Sequence, residues 1–128
     1  MNELTQLEKE VMTAVLSTLI DDQGKVLDVV RSLPVSDRTF SRDVTDSRRC
    51  SGFYLNFKPN NLLAGTPNVP HHLSVYGTHA DTPAGGDFIL FFSQDRAGID
   101  YLEGTFFDHT LPIDKLLANN HGFALPPT

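Results

Sequence analysis

Asp87-Phe88-Ile89-Leu90-Phe91-Phe92-Ser93, then Gln94-Asp95-Arg96-Ala97-Gly98, then Ile99-Asp100-Tyr101-Leu102-Glu103-Gly104 follow one another without interruption. The two outer runs have strand character, and the five-residue link between them ends in glycine, which together predict a β-hairpin over 87–104. Side chains alternate along a strand, so Phe88, Leu90 and Phe92 share one face and Ile89 and Phe91 the other. Apolar residues on both faces predict a central strand covered on both sides. An N-terminal helix can cover one side, and another element or a second copy of the chain must cover the other. By the same alternation, Tyr101 and Glu103 share a face with Ile99.

Upstream, Leu4, Leu7, Val11, Ala14, Val15 and Leu19 recur at helical spacing and predict an amphipathic helix over 3–20. Asn2 is its candidate cap, and Asp21-Asp22-Gln23-Gly24 stops it. Residues 25–33 favour a second short helix ended by Pro34, although Val26, Val29 and Val30 also suit a strand. Residues 35–41 read as an edge strand and 42–49 as a polar loop. Residues 51–58 read as a strand with Phe53, Leu55 and Phe57 on one face and Tyr54 and Asn56 on the other. Residues 60–72 form a long exposed loop, a type of segment that often carries function. Residues 73–79 form a further strand, and 81–86 (Asp81-Thr82-Pro83-Ala84-Gly85-Gly86) are turn chemistry. Thr110 and Pro112 open a short helix over 113–119, and Phe123, Leu125 and Pro126 lead a tail packed flat on the domain. The expected fold is α+β: an N-terminal helix on an antiparallel sheet of about four or five strands, with a short C-terminal helix.

The 128 residues make one domain, 1–128. A single cysteine, Cys50, excludes an internal disulfide and a cysteine-based zinc site. Residues 1–20 carry no basic leader region, and the longest apolar run, 88–92, is far short of the ~18 residues of a membrane span, so the expected location is cytoplasmic. Net charge is −6 and unevenly placed: residues 1–64 hold nine acids and eight bases, whereas residues 65–128 hold seven acids and two bases. Such a surface repels phosphate backbones, so nucleic acid is not an expected ligand, and it attracts a basic protein.

His71, His72, His79 and Asp81 cluster in sequence, with Asp108-His109 downstream, but no recognised metal-ligand spacing is present. The alternative to a metal site is that these are polar loop residues. An inward Glu103 would be half-buried and a candidate general acid; a carboxylate satisfied by backbone amides explains it as well. Cys50, beside Arg48 and Arg49, lacks an identifiable base and reads as a small apolar residue. Gly85-Gly86-Asp87-Phe88 resembles the glycine-rich signature of nucleotide cyclases with one acidic position missing, and reads as a bend feeding the core strand. No phosphate-binding or dinucleotide-binding glycine motif occurs, so no cofactor is expected.

Gly52-Phe53-Tyr54-Leu55-Asn56-Phe57, followed by the hairpin ending in Leu102-Glu103-Gly104, resembles a pattern in small uncharacterised bacterial proteins, some of them neighbours of toxin genes. The turn Asp95-Arg96-Ala97-Gly98 is longer than the tight Asp-Gly turn of that pattern. The resemblance implies an α+β fold with an antiparallel sheet and an immunity-like role; it carries no active site. The function expected is that of a non-catalytic binding protein, an acidic immunity or inhibitor protein that blocks a basic protein partner such as a toxin. Asp81, Asp95, Asp100, Asp108 and Tyr76 are the expected partner contacts, by electrostatic steering and aromatic anchoring. The alternative is a small enzyme, metal-dependent or not, using His79, Asp81, Glu103 and His109. A third reading is a structural homodimer that hides the second sheet face.

Overall fold

A computed structural model describes residues 3–107 and 109–126. Helix α1 (Gln6–Leu16) begins where Thr5 and Glu8 form a capping box. The Glu8 backbone N–H donates to Thr5 Oγ1 at 3.1 Å, and the Thr5 N–H donates to Glu8 Oε1 at 2.8 Å. The helix is therefore shorter at both ends than its apolar periodicity predicts; the expected cap, Asn2, lies outside the described residues. Helix α2 (Gln23–Ser32) is capped by Asp22, whose carboxylate accepts from the Gly24 and Lys25 amides. Leu33 is extended and Pro34 follows it, as a helix end before proline requires.

Five antiparallel strands follow: β1 (Val35–Arg42), β2 (Arg49–Phe57), β3 (His72–His79), β4 (Thr82–Phe92) and β5 (Ile99–Phe106). Their order across the sheet is β1-β2-β5-β4-β3, with the two-residue β6 (Leu111–Pro112) paired to β2. Helix α3 (Ile113–Leu117) closes the chain's regular structure. The expected α+β architecture is the observed one, and β5 is the middle strand of the five.

All three helices contribute to a core on one side of the sheet. Phe88, Leu90 and Leu102 are fully buried there, beneath Leu7, Val11, Val15 and Leu16 of α1. Phe123 of the tail packs edge-on against Phe88, with ring centroids 5.2 Å apart, and next to it Ala124 and Thr78 exchange backbone hydrogen bonds. The expected flat packing of the tail holds for these residues.

Two expectations are corrected. Residues 81–86 are not a turn: β4 starts at Thr82, leaving Ala80-Asp81 as the tight connection. Gly85 lies inside the strand at φ 75°, and a Cβ there would sit 2.2 Å from the Tyr76 hydroxyl, so glycine lets the strand pass beneath that ring. Ile99 does not share a face with Tyr101. The pairs Phe92↔Ile99 and Phe91↔Tyr101 leave Asp100 as an extra residue, a bulge that turns Ile99 into the core and Tyr101 and Glu103 outward. The long, largely exposed loop expected over 60–72 is present, with His72 already in β3, and it is anchored at its start and at Leu63. Asn60 bonds the Ile99 amide at 3.1 Å and its carbonyl at 2.9 Å, and Leu63 is buried.

Candidate functional site: the outer face of the sheet

The register places three rows of side chains across the face opposite the helices. One row is Asp37, Asn56, Tyr101, Phe91 and His72; the next is Thr39, Tyr54, Glu103, Ile89 and Ser74. Thr105, Asp87 and Tyr76 extend a third. Among the described residues no helix covers these positions. Of the two expected covers for Ile89 and Phe91, another element or a second copy of the chain, no element among the described residues supplies one; both side chains are half-buried. Phe91 stacks on Tyr101 at 4.5 Å with 16° between the planes, His72 lies 5.6 Å from Phe91, and Tyr54 lies 6.2 Å from Tyr101. Four aromatic rings therefore run across four adjacent strands.

Three carboxylates share this face, Asp37, Asp87 and Glu103, and no row contains Lys or Arg. Asp37 accepts from Asn56 Nδ2 at 2.7 Å. Glu103 Oε2 accepts from the Tyr54 hydroxyl at 3.3 Å, and that carboxylate, first by its charge and then by the hydrogen bond, pushes the Tyr54 phenol above its usual range. Tyr76 is 48% exposed, with its hydroxyl tied to the Ala84 carbonyl at 2.7 Å. Its ring is thus preset, which lowers the entropy lost on contact.

The expected partner contacts fall in different places. Tyr76 is on the outer face. Asp81 sits in the β3–β4 turn, where its amide donates to His79 Nδ1 at 3.0 Å. Asp95 and Asp100 lie at the opposite end of β4, about 30 Å away by strand geometry. These two line one open cleft of about 520 Å³ with Phe57, Pro59, Asn60 and Ser93. Asp95 caps its own turn: it accepts from Ser93 Oγ at 2.6 Å and from the Ala97 amide at 3.0 Å, and the serine bond foremost holds its carboxyl below the usual range. The bulged Asp100 is exposed and has no such local bond. Asp108 lies outside the described residues.

The alternative set is not assembled. His79 is buried on the helix side, with Nε2 2.9 Å from the His121 carbonyl, whereas Glu103 points from the other face. Both ring nitrogens of His79 are thereby engaged with the backbone. His109 is exposed beyond the end of β5. His71 and His72 diverge, the first meeting Arg96 at 2.6 Å and the second Phe91. Among the described residues no group of three His, Cys, Asp or Glu is arranged to hold a metal. Cys50 is fully buried, and burial pushes its thiol up, against weaker opposing effects from Arg42 and Arg49.

Sequence reasoning missed Tyr54, Phe91 and Tyr101 as site residues. The outward face of Tyr101 depends on the Asp100 bulge, and the meeting of Tyr54 with Tyr101 depends on β2 pairing with β5, a neighbour relation that strand spacing does not reveal. No helix among the described residues is long and apolar enough to cross a membrane. The chain matches no protein-family model, and comparison with curated proteins and with solved structures finds none similar to it.

Proposed function

We propose that this is a non-catalytic binding protein of the immunity or inhibitor kind, which occludes a basic protein partner such as a toxin through the outer face of its sheet. One observation carries the reading: a solvent-facing aromatic row lies among three carboxylates with no cationic side chain in the grid. Buried aromatic anchors supply most of the energy at protein interfaces, and complementary charge supplies the on-rate and the choice of partner. Tyrosine suits such a surface because its ring contributes apolar area while its hydroxyl tolerates water before the partner arrives. The −5 balance of residues 65–128 extends the attraction beyond the contact itself, and Asp95 and Asp100 at one end of β4, with Asp81 at the other, steer from both flanks.

The test is affinity capture from the native host with the wild-type chain and with a Glu103→Lys/Asp87→Lys variant. The expected result is a stoichiometric basic protein that the wild type retains at low salt and the variant does not. Equal retention of that protein by both chains, or retention indifferent to salt, would overturn the reading.

A further inference from the structure

We infer that Glu103, with Tyr54 and Tyr101 beside it, is a receiving site for an arginine side chain of the partner; this rests on the binding function proposed above and names its central contact.

Glu103 stands on β5, the middle strand, and so at the centre of the outer face. Tyr54 is its cross-strand neighbour on β2, and Ile89 its neighbour on β4. Tyr101 precedes it by two residues on the same face and is stacked on Phe91. The carboxylate therefore has a tyrosine on the neighbouring strand, a second two residues before it on the same face, and an apolar side chain across from it on β4. Glu103 Oε2 meets the Tyr54 hydroxyl and, at 3.5 Å, Thr105 Oγ1. No hydrogen bond reaches Oε1 among the described residues, so that oxygen's acceptor capacity is left for a donor from outside.

Elsewhere in the chain, a glutamate on helix α1 shows the pairing a carboxylate makes when a guanidinium is provided. Glu8, 2% exposed, accepts two hydrogen bonds of 2.6 Å from the Arg38 guanidinium, a bidentate pair. Among the described residues Glu103 has no such partner, because the outward rows hold neither Lys nor Arg. Arginine rather than lysine fits the surroundings. A guanidinium is flat, weakly hydrated and forked, so it stacks on a ring while donating to a carboxylate; an ammonium is a compact, strongly hydrated point charge. Asp37 and Asp87, on either flank, reject an anionic occupant and favour further positive charge on the same segment.

The chain lacks tryptophan, and two of its three tyrosines are the flanking residues, so tyrosine absorbance and fluorescence report on this site directly. The experiment titrates the full chain, at low salt, with blocked tetra-arginine and blocked tetra-lysine peptides. The wild type is compared with Glu103→Gln and with Asp114→Asn, which removes one exposed charge from α3. Unfolding curves that coincide for the three chains establish equal folding. The expected result is that the arginine peptide binds about fivefold tighter than the lysine peptide to the wild type. Glu103→Gln should weaken the arginine peptide about tenfold and abolish that preference, while Asp114→Asn preserves it. Equal binding of the two peptides, or equal weakening by both variants, would overturn the arginine site yet leave the basic-partner reading standing, since general charge would then suffice. Absence of any tyrosine response to either peptide would also overturn the site, and the capture experiment would still decide the partner reading separately.

Discussion

On the inner face of the sheet, Phe53 meets Phe88 and Phe106, and these two meet each other and Phe123, with ring centroids 5.2 to 6.5 Å apart, tilted or edge-on; all are buried. On the outer face, Tyr54, Tyr101, Phe91 and His72 form a comparable chain of rings, yet Tyr54 keeps 39% of its surface in water. The same strands supply both sets by simple alternation. The difference lies in what surrounds the rings. Inside, they are enclosed by the buried side chains of the core; outside, they share the face with Glu103, Asp37, Asp87, Asn56 and Thr105. A buried phenylalanine cluster maximises apolar area removed from water and holds the fold. A ring row threaded with carboxylates keeps a large contact surface soluble, ready for a partner of opposite charge. The two faces therefore divide stability from recognition, and substitutions should separate them.

The largest expected effect is on the inner face. Phe88→Ala removes a fully buried ring at the junction of β4, the tail and Phe106, and should cost about 3–5 kcal/mol in urea unfolding. Next comes the ion pair that joins α1 to β1. Arg38→Ala leaves the buried Glu8 carboxylate without its partner and should cost about 3 kcal/mol. Replacing Glu8 by Leu in the same chain should recover much of that loss, because the uncompensated charge goes with it. A smaller effect on stability, with a large one on binding, is expected outside. Tyr54→Ser should change unfolding free energy by no more than ~1 kcal/mol but weaken the captured basic partner by more than about tenfold. Comparable losses of stability from Phe88→Ala and Tyr54→Ser would abolish the division.

The smallest effect is spectroscopic. Glu103 holds the Tyr54 phenol proton on, since ionising the ring beside a carboxylate places two negative charges together. In Glu103→Gln that repulsion is gone, so one of the three tyrosines should ionise at lower pH in an absorbance titration. An unchanged titration would mean that Tyr54 and Glu103 do not meet in solution. Cys50 supplies a control for the folded state: buried and held protonated, its thiol should resist a disulfide reagent until the chain unfolds.

Much of this architecture was legible in residue order. Phe53, Leu55 and Phe57 announce an inward face by alternation, and the Gln94–Gly98 link announces the hairpin, whereas Phe88, Leu90 and Phe92 alternate with equally apolar Ile89 and Phe91, so only the helices' packing shows which set is inward. Local chemistry that was present but outweighed by periodicity includes the Thr5–Glu8 capping box, which starts α1 later than its apolar stripe does. Other features depend on contacts between distant parts. The Asp100 bulge arises from pairing against β4 and reverses the face assigned to Ile99, while Gly85 is accommodated by Tyr76 on the next strand. The outer site belongs to this second group. Tyr54 and Glu103 are 49 residues apart and meet only because β2 and β5 are neighbours. The expected acidic contacts were chosen by charge and turn position, which locates flanks such as Asp81 and Asp95 but not the surface between them.

Hydroxyl-radical footprinting of the chain, free and bound to its captured basic partner, tests the outer-face interface most directly. Binding should protect Tyr54, Phe91 and Tyr101, with Phe53, Phe88 and Phe123 unreactive in both states. Unaltered reactivity of the three outer rings in the complex would contradict that interface.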